Sequence, residues 1–356
     1  MGRNDAAELL GFVENVVGEG PLRVEETLGN GFVRLRVSEA ERRQAKHDIR
    51  NIEDAVIELL RNARDAGAQT VFLATTREGT CRTVTCLDDG CGIPEPMLDR
   101  VFEARVTSKL DTMAMDRWGV HGRGMALFSI RHNALESRIC RSEPGFGTAL
   151  LTRFDCAQIA ERTDQSSWPR VSKNDEGRHV TSRGPHNILR TAVDFALDCR
   201  PPEVFFGSPS DVVATIFSQG RAPSSPLSER PLPIWRDVAF ATDAPSLVAR
   251  ASDVGLEISE RTAYRILAHE IKPLPPLRLQ ALRMASPTCA ASREVDLERD
   301  RRSLRLSQQD LEDFSQSMER AFENLSERYY IALEGSPKVR VSHDAITVTF
   351  EIQKID

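Results

Sequence analysis

No apolar run in the 356 residues approaches the roughly 20 that a membrane-spanning helix needs. The first residues also lack the basic stretch and apolar core of an export signal. These absences lead to the expectation of a cytoplasmic protein without a membrane partner. Positive charge is not in excess: 47 Lys and Arg against 53 Asp and Glu give a net charge of -6. That balance argues against coating nucleic acid by bulk electrostatics, so DNA binding has to rest on a local feature. Seven cysteines include no C-x-x-C pair, which points away from a zinc site or a disulfide framework. Cys81, Cys86 and Cys91 read as small buried hydrophobes. No internal repeat is present. What remains is the composition of a soluble globular protein, 40% hydrophobic and 28% charged, long enough for two or three domains.

The hydrophobic pattern sets out the organisation. An amphipathic start, Ala6 to Val17, and a short alternating strand, Gly31 to Val37, precede a helical pattern from Glu39 to Ala66, closed by Gly67. Strands Thr70 to Thr75 and Thr83 to Leu87 follow, with a hairpin turn at Glu78-Gly79. A polar stretch from Arg105 to Trp118 leads to a helix, Met125 to His132, and two strands, Leu135 to Arg141 and Thr148 to Phe154. This order predicts an α+β sandwich with helices on one face of a mixed or antiparallel sheet. Residues 162 to 187 read as a linker, Asn187 to Asp198 and Ser210 to Phe217 as helices, and 221 to 233 as a proline-rich arm. Helical signal runs from 245 to 285 and from Ser307 to Leu333, and a strand, Ala345 to Ile352, closes the chain. The expected divisions are an N-terminal extension (1–30), a first α+β domain (30–156), a loop-rich middle region (157–244) and a mainly helical C-terminal region (245–356).

Four short runs carry the chemistry. At 100° per residue, Glu58, Asn62 and Asp65 of Glu58-Leu-Leu-Arg-Asn62-Ala-Arg-Asp65-Ala-Gly67 share one face of a helix. By itself such a face is equally well a solvated stripe. Asp88-Asp-Gly90-Cys-Gly92-Ile93-Pro94 follows a strand: its glycines permit a sharp turn and close approach to a flat ring, and Asp88 offers an acceptor for an exocyclic amine. Gly119-Val-His-Gly122-Arg123-Gly124-Met125 runs into a helix whose backbone N–H groups favour an anion such as a di- or triphosphate. Gly145-Phe-Gly147-Thr148 turns into a strand and adds a hydroxyl for a further phosphate contact.

Together, in this order, these runs resemble the boxes of the GHKL ATPases, the family of gyrase, the heat-shock chaperone ATPases, histidine kinases and MutL. The resemblance spans residues 58 to 148 and implies a Bergerat-type sandwich of helices on a mixed β-sheet, followed here by the mainly helical region that ends in a strand. It implies ATP and Mg²⁺ as ligands. Asn62 would hold Mg²⁺ against the phosphates, Asp88 would accept from the adenine amine, and Gly92 would let the base lie against backbone. Gly122 and Gly124 would cradle the phosphates, with Thr148 beneath the adenine–phosphate cleft, and Asp65, Gly90, Ile93, Lys109, Gly119, Arg123 and Met125 would complete the nucleotide-binding set.

Branches of the family differ around the asparagine. E-x-x-x-N-x-x-D-A, as here, resembles the hydrolysing branches, in which the residue at Glu58 is the general base for the attacking water. Val101 to Lys109 and Arg117 to Gly124 are similar to the lid of MutL and the type IIB topoisomerase B subunit, which makes Arg105 to Trp118 the candidate moving part. Slow ATP hydrolysis as a conformational or dimerisation switch is the function this implies, in a DNA transaction or in defence. The competing class is a kinase-like or anti-sigma-like regulatory module acting on an unidentified protein. His47-Asp-Ile-Arg-Asn51 resembles a kinase phosphoacceptor box, but stands on the helix leading straight into the site. Leu247 to Leu267 offers two readings, a helix-turn-helix bringing Arg261, Thr262 and Arg265 to DNA, or, with more acidic residues than such a surface tolerates, a plain helical hairpin packed on the nucleotide domain.

Overall fold

The computed structural model describes residues 24–108, 114–116, 118–121, 124–162, 164–220, 232–285, 308–329, 331–341 and 346–354, in two compact units, Met1–Ala290 and Ala291–Asp356. The amphipathic segment Ala6 to Val17 lies outside the described residues.

The first unit opens with a hairpin, β1 (Val24–Gly29) and β2 (Phe32–Leu35), and α1 (Glu39–Lys46). Ser38 and Glu41 form a capping box at the start of α1. The sequence predicts one helix from Glu39 to Ala66, but the chain breaks after α1 and restarts as α2 (Ile52–Asp65). The cause is Asn51, extended at φ −150, whose side chain accepts from the Asp54 N–H at 2.8 Å and caps a new helix instead of continuing the old one. His47 is the exposed C-cap of α1. There follow β3 (Thr70–Glu78), β4 (Cys81–Asp88), β5 (Val106–Thr107), the small pair β6 (Ala114–Asp116) and β7 (Gly119–His121), α3 (Ala126–Asn133), β8 (Glu136–Glu143) and β9 (Gly147–Asp155). Next come β10 (Arg170–Lys173), β11 (His179–Arg183), α4 (Ile188–Asp198), β12 (Glu203–Gly207), α5 (Pro209–Gly220), a 3-10 segment Ile234–Phe240, α6 (Ala244–Asp253), α7 (Glu260–Leu267) and α8 (Leu277–Ala285).

The fold is α+β. Its central sheet has the order β12-β3-β4-β9-β8, antiparallel except for the parallel β12–β3 pair. Alternation along the strands sorts the side chains. Val84 and Cys86 of β4 and Leu150 and Phe154 of β9 face one side, where they pack with Ile52, Val56 and Leu60 of α2 and Val193 and Phe195 of α4. Phe72, Leu87, Ala149 and Phe205 face the other, under Val213 and Phe217 of α5, Trp235 of the 3-10 segment and Leu247 of α6. Phe72 stacks on Phe205 and meets Trp235 edge-on, both at 5.1 Å between centroids. Helices therefore cover both faces, not one. The strands say why: inner positions of β4 and β9 are buried on both sides, so neither face can be left to water.

This third layer also redraws the expected domains. Residues 157–285 do not stand apart from 30–156: β12 extends the sheet, and α4 and α8 join the core of α2. The linker expected at 162–187 holds a hairpin, β10 with β11, and is pinned by the buried Asn187, whose Nδ2 donates to the Asp164 and Ser167 carbonyls at 2.8 and 3.0 Å. Of the expected arm, only residues 232–233 are described. The plain-hairpin reading of 247–267 agrees with the arrangement. Its turn is plugged into the second sheet face, where the Gly255 carbonyl accepts from Thr85 Oγ1 at 2.9 Å, and a Cβ on Gly255 would lie 2.7 Å from Cys140 Sγ. No described helix is long and apolar enough to cross a membrane.

The second unit contains α9 (Gln308–Tyr329) and two strand pairs, β13 (Ile331–Leu333) with β16 (Ile352–Lys354), and β14 (Lys338–Val341) with β15 (Ile346–Thr349). Phe322 of α9 stacks on Phe350 at 5.1 Å. The long expected helix ends at Tyr329, and the expected closing strand is split into β15 and β16.

After β9 the chain is fastened to the sheet by charge. Glu161, 4% exposed, accepts from Arg82 Nε at 2.7 Å and pairs with Arg77, next to the Asn51–Ala160 bridge that holds the start of α2. Arg82 is itself 9% exposed, so removing the carboxylate leaves a buried cation unmatched. Glu161→Ala is expected to cost about 3–5 kcal/mol of unfolding free energy in urea titrations; a loss under about 1 kcal/mol would show the pair behaving as an exposed one.

Candidate functional site

A cavity of about 810 Å³ opens between α2, the ends of β4 and β9, the turn after β4, β5 and the start of α3. From α2 come Glu58, Asn62 and Asp65, the face expected from helical spacing. Asn62 Nδ2 is buried and has no hydrogen-bond partner, an arrangement costly unless a ligand completes it. Glu58 pairs through Oε1 with Arg61 Nη1 at 2.5 Å, and Asp65 through Oδ1 with Arg64 Nε at 3.0 Å.

The floor follows from strand alternation. Asp88 continues the row of Val84 and Cys86, and Thr148 that of Leu150, so both point under α2, and the two residues are register partners. Asp88 is 8% exposed, and its Oδ1 accepts from the Gly90 N–H at 2.8 Å. Burial, followed by the Asp88 charge, pushes the Cys86 thiol far up, so it is a neutral wall of the cavity. Ser142 of β8, absent from the sequence-based set, organises this end. Its oxygen accepts from the Ile93 N–H at 2.8 Å, its proton goes to the Gly147 carbonyl at 3.0 Å, and it lies 2.9 Å from Thr148 Oγ1. With the Ser142 proton committed, Thr148 donates to Ser142 and is left with lone pairs to offer. Asp88 and Thr148 thus form an acceptor-rich end, which suits an amine.

The opposite end is rich in donors. Gly124, at φ +65, ends the glycine loop, and its carbonyl accepts from the Arg105 N–H at 2.8 Å. Met125, Ala126 and Leu127 line the cavity at the start of α3. No side chain caps that helix, whereas Ser38, Asn51, Asn187, Asp243 and Ser259 cap α1, α2, α4, α6 and α7. Its first-turn N–H groups are open to an anion.

Glu58, Asn62, Asp65, Asp88, Gly92, Ile93, Gly124, Met125 and Thr148 of the expected set therefore meet at one cavity. Gly90 is not on its wall, Gly119 opens β7, and Lys109, Gly122 and Arg123 lie outside the described residues. Gly92 also has a structural part: at φ +67, a Cβ there would lie 2.0 Å from the Glu143 carbonyl oxygen in the β8–β9 hairpin. Gly90 packs on α2, where a Cβ would come 2.7 Å from that of Ala66. Thr148 stands opposite Asp88 as its register partner. Part of the Arg105 to Trp118 stretch is fastened to the fold. Arg105 is 4% exposed and ion-paired with Glu41, and β5 pairs with β2; residues 109–113 and 117 lie outside the described set. Hydrogen bonds from Ser38, then the charge and hydrogen bond of Arg105, hold the Glu41 carboxyl below its ordinary range. Of the three clustered cysteines expected to be buried, Cys91 is exposed and Cys81 partly so, because the turn and strand end carry them outward.

Among the described residues no group of three or more His, Cys, Asp and Glu side chains is placed to hold a metal alone. The oxygens of Glu58, Asn62 and Asp65 are hard donors that fit Mg²⁺ when a ligand supplies the remaining ones.

Residues 47–158 match the family model described as "Histidine kinase-, DNA gyrase B-, and HSP90-like ATPase". This segment is a GHKL-type ATP-binding domain. Over 102 residues the chain is 42% identical to the DNA mismatch repair protein MutL of Thermus aquaticus, covering 28% of this chain and 19% of that protein. A stretch of 77 residues is 44% identical to MutL of Acidiphilium cryptum (strain JF-5), covering 21% and 13%. The chain thus spans about a fifth or less of the length of these relatives. A solved structure described as full-length ShkA in complex with AMPPNP aligns over 75% of this chain and 63% of that one, with 14% identity and a TM-score of 0.22, too low to carry an argument.

The GHKL domain's acceptor end depends on Gly147, at φ +105, where a Cβ would sit 2.0 Å from the Asp88 carbonyl oxygen. Gly147→Ala is expected to destabilise the first unit by at least about 2 kcal/mol in urea titrations. Ser142→Ala, which removes hydrogen bonds without forcing backbone apart, is expected to cost about 1 kcal/mol. The reverse ranking would contradict the packing described.

Proposed function

We propose that the GHKL domain binds Mg-ATP in this cavity and hydrolyses it slowly, and that the nucleotide state switches the conformation or the dimerisation of the chain. The observation that carries the reading is the convergence on one cavity of the Glu58–Asn62–Asp65 face, the buried Asp88 and the uncapped start of α3. Asp88 accepts from the adenine amine, directly or through water, with the lone pairs of Thr148 adjoining it. The phosphates extend toward Gly124 and the first turn of α3, with Gly119, Lys109, Gly122 and Arg123 as their further contacts on the strength of the family resemblance. Asn62 would hold Mg²⁺ from the protein side, with Asp65 beside it, and the ion would supply positive charge against the phosphate oxygens. Glu58 takes a proton from water as the water oxygen bonds to the γ-phosphorus, the bond to the bridging oxygen breaks, and ADP and phosphate leave.

The E-x-x-x-N-x-x-D-A spacing, with a glutamate lining the cavity, supports hydrolysis over transfer to a protein. The similarity to two DNA mismatch repair proteins supports a DNA transaction as the setting. The surface of α7 adds little to DNA binding, since Arg265 is tied to Glu270 at 3.2 Å.

Glu58→Ala is expected to lower phosphate release from Mg-ATP by about 10²-fold or more while Mg-ADP still binds. Asn62→Ala is expected to weaken Mg-nucleotide more than metal-free nucleotide. Hydrolysis undiminished in Glu58→Ala would remove the assigned base, and label from γ-labelled ATP appearing on a protein side chain would favour the kinase-like reading.

A further inference from the structure

Arg61 stands in the wall of the cavity without a part in the reaction as written above. It projects from α2 between Glu58 and Asn62, and its side chain is 4% exposed. Besides the 2.5 Å contact with Glu58 Oε1, its guanidinium carbon lies 5.8 Å from the centroid of the Trp118 ring. Trp118 in turn tilts against Phe195 of α4, with centroids 6.0 Å apart and an interplanar angle of 34°. Phe195 is fully buried. A line of contacts thus runs from the core through a ring and a cation to the carboxylate at the cavity.

An exposed pair three residues apart on a helix needs none of this, is worth a few tenths of a kcal/mol, and leaves both side chains mobile. Here the cation is withdrawn from water, so its charge must be met inside the fold, and Glu58 meets it at hydrogen-bond distance. Glu58 itself is 23% exposed. With Oε1 held, the planar carboxylate fixes where Oε2 lies. A planar guanidinium lying over a ring is also better immobilised than an ammonium would be.

We propose that Arg61 is a positioning residue, which fixes the Glu58 carboxylate at the cavity wall while Trp118, backed by Phe195, holds the guanidinium. This role rests on the reading of Glu58 as the general base. It assigns to Arg61 no contact with nucleotide, and to Trp118 an influence that passes only through Arg61.

Steady-state hydrolysis and Mg-ADP titration of the full chain test this. Arg61→Met is expected to lower kcat by about tenfold or more, with KM for ATP changed by less than about threefold, because orientation of the base is lost and binding is not. Trp118→Leu is expected to lower kcat by a smaller factor, about threefold, and the double variant is expected to fall no further than Arg61→Met alone. Arg61→Lys keeps the charge without the fork and is expected to recover part of kcat. Should Arg61→Met fail to bind Mg-ADP, and so lack an intact pocket, Arg61→Lys and Trp118→Leu carry the comparison. A rise in KM at unchanged kcat, additive losses in the double variant, or kinetics untouched by loss of the guanidinium would each overturn the proposal. Wild-type protein that binds Mg-ADP yet releases no phosphate from Mg-ATP overturns the reading of Glu58 as a base, and this role with it. Wild-type hydrolysis that Arg61→Met leaves intact overturns only the role of Arg61.

Discussion

Gly147 touches the Asp88 carbonyl where any side chain would collide, and that backbone contact sets the geometry of the acceptor-rich end of the cavity. It lets β9 start directly against the end of β4, so Thr148 falls opposite Asp88. Gly92 does the same from the other side, closing on the Glu143 carbonyl, and Gly145 N–H donates to the Cys91 carbonyl at 2.8 Å. Two turns distant in sequence are locked backbone to backbone, and Ser142 bonds to both. The two acceptor side chains need no loop of their own to be placed: the sheet places them.

Rigidity of that sheet comes from cover on both faces. A two-layer sandwich would leave Phe72, Leu87 and Phe205 facing water; here α5, the 3-10 segment and the α6–α7 hairpin bury them. Residues 157–285 are thereby part of the support of the site. The helical side differs in character. α2 presents Glu58, Asn62 and Asp65 to the cavity, with Asn62 Nδ2 left without a partner, and α3 begins without a side-chain cap. Polar groups left incomplete on a well-packed frame mark where a ligand adds stability that the fold has forgone.

What the sequence made legible follows from which signals are local. Helical spacing put Glu58, Asn62 and Asp65 on one face, and glycine followed by a helix marked the start of α3, because neither needs knowledge of distant residues. The break at Asn51 was missed because Ile49, Ile52 and Val56 keep helical spacing across it; a capping side chain outcompeted periodicity. β12 was hidden among prolines, and its partner, β3, is far away in the chain. The close approach of Gly92 to the β8–β9 hairpin was not legible, because a glycine that admits a ligand and one that admits a neighbouring turn look alike in sequence. Ser142 and Arg61 went unnoticed for a related reason: a serine in a strand and an arginine in a helix gain meaning only from what they touch.

The central claim is that one cavity takes an adenine nucleotide with magnesium, amine end at Asp88 and Thr148. Calorimetric titration of the wild-type chain with Mg-ADP and with Mg-GDP tests it most directly, because guanine presents a carbonyl oxygen where adenine presents an amine. The account predicts saturable binding of about one Mg-ADP per chain, loss of that binding in Asp88→Ala, and no comparable binding of Mg-GDP. Equal binding of the two nucleotides, or binding of neither, would contradict it.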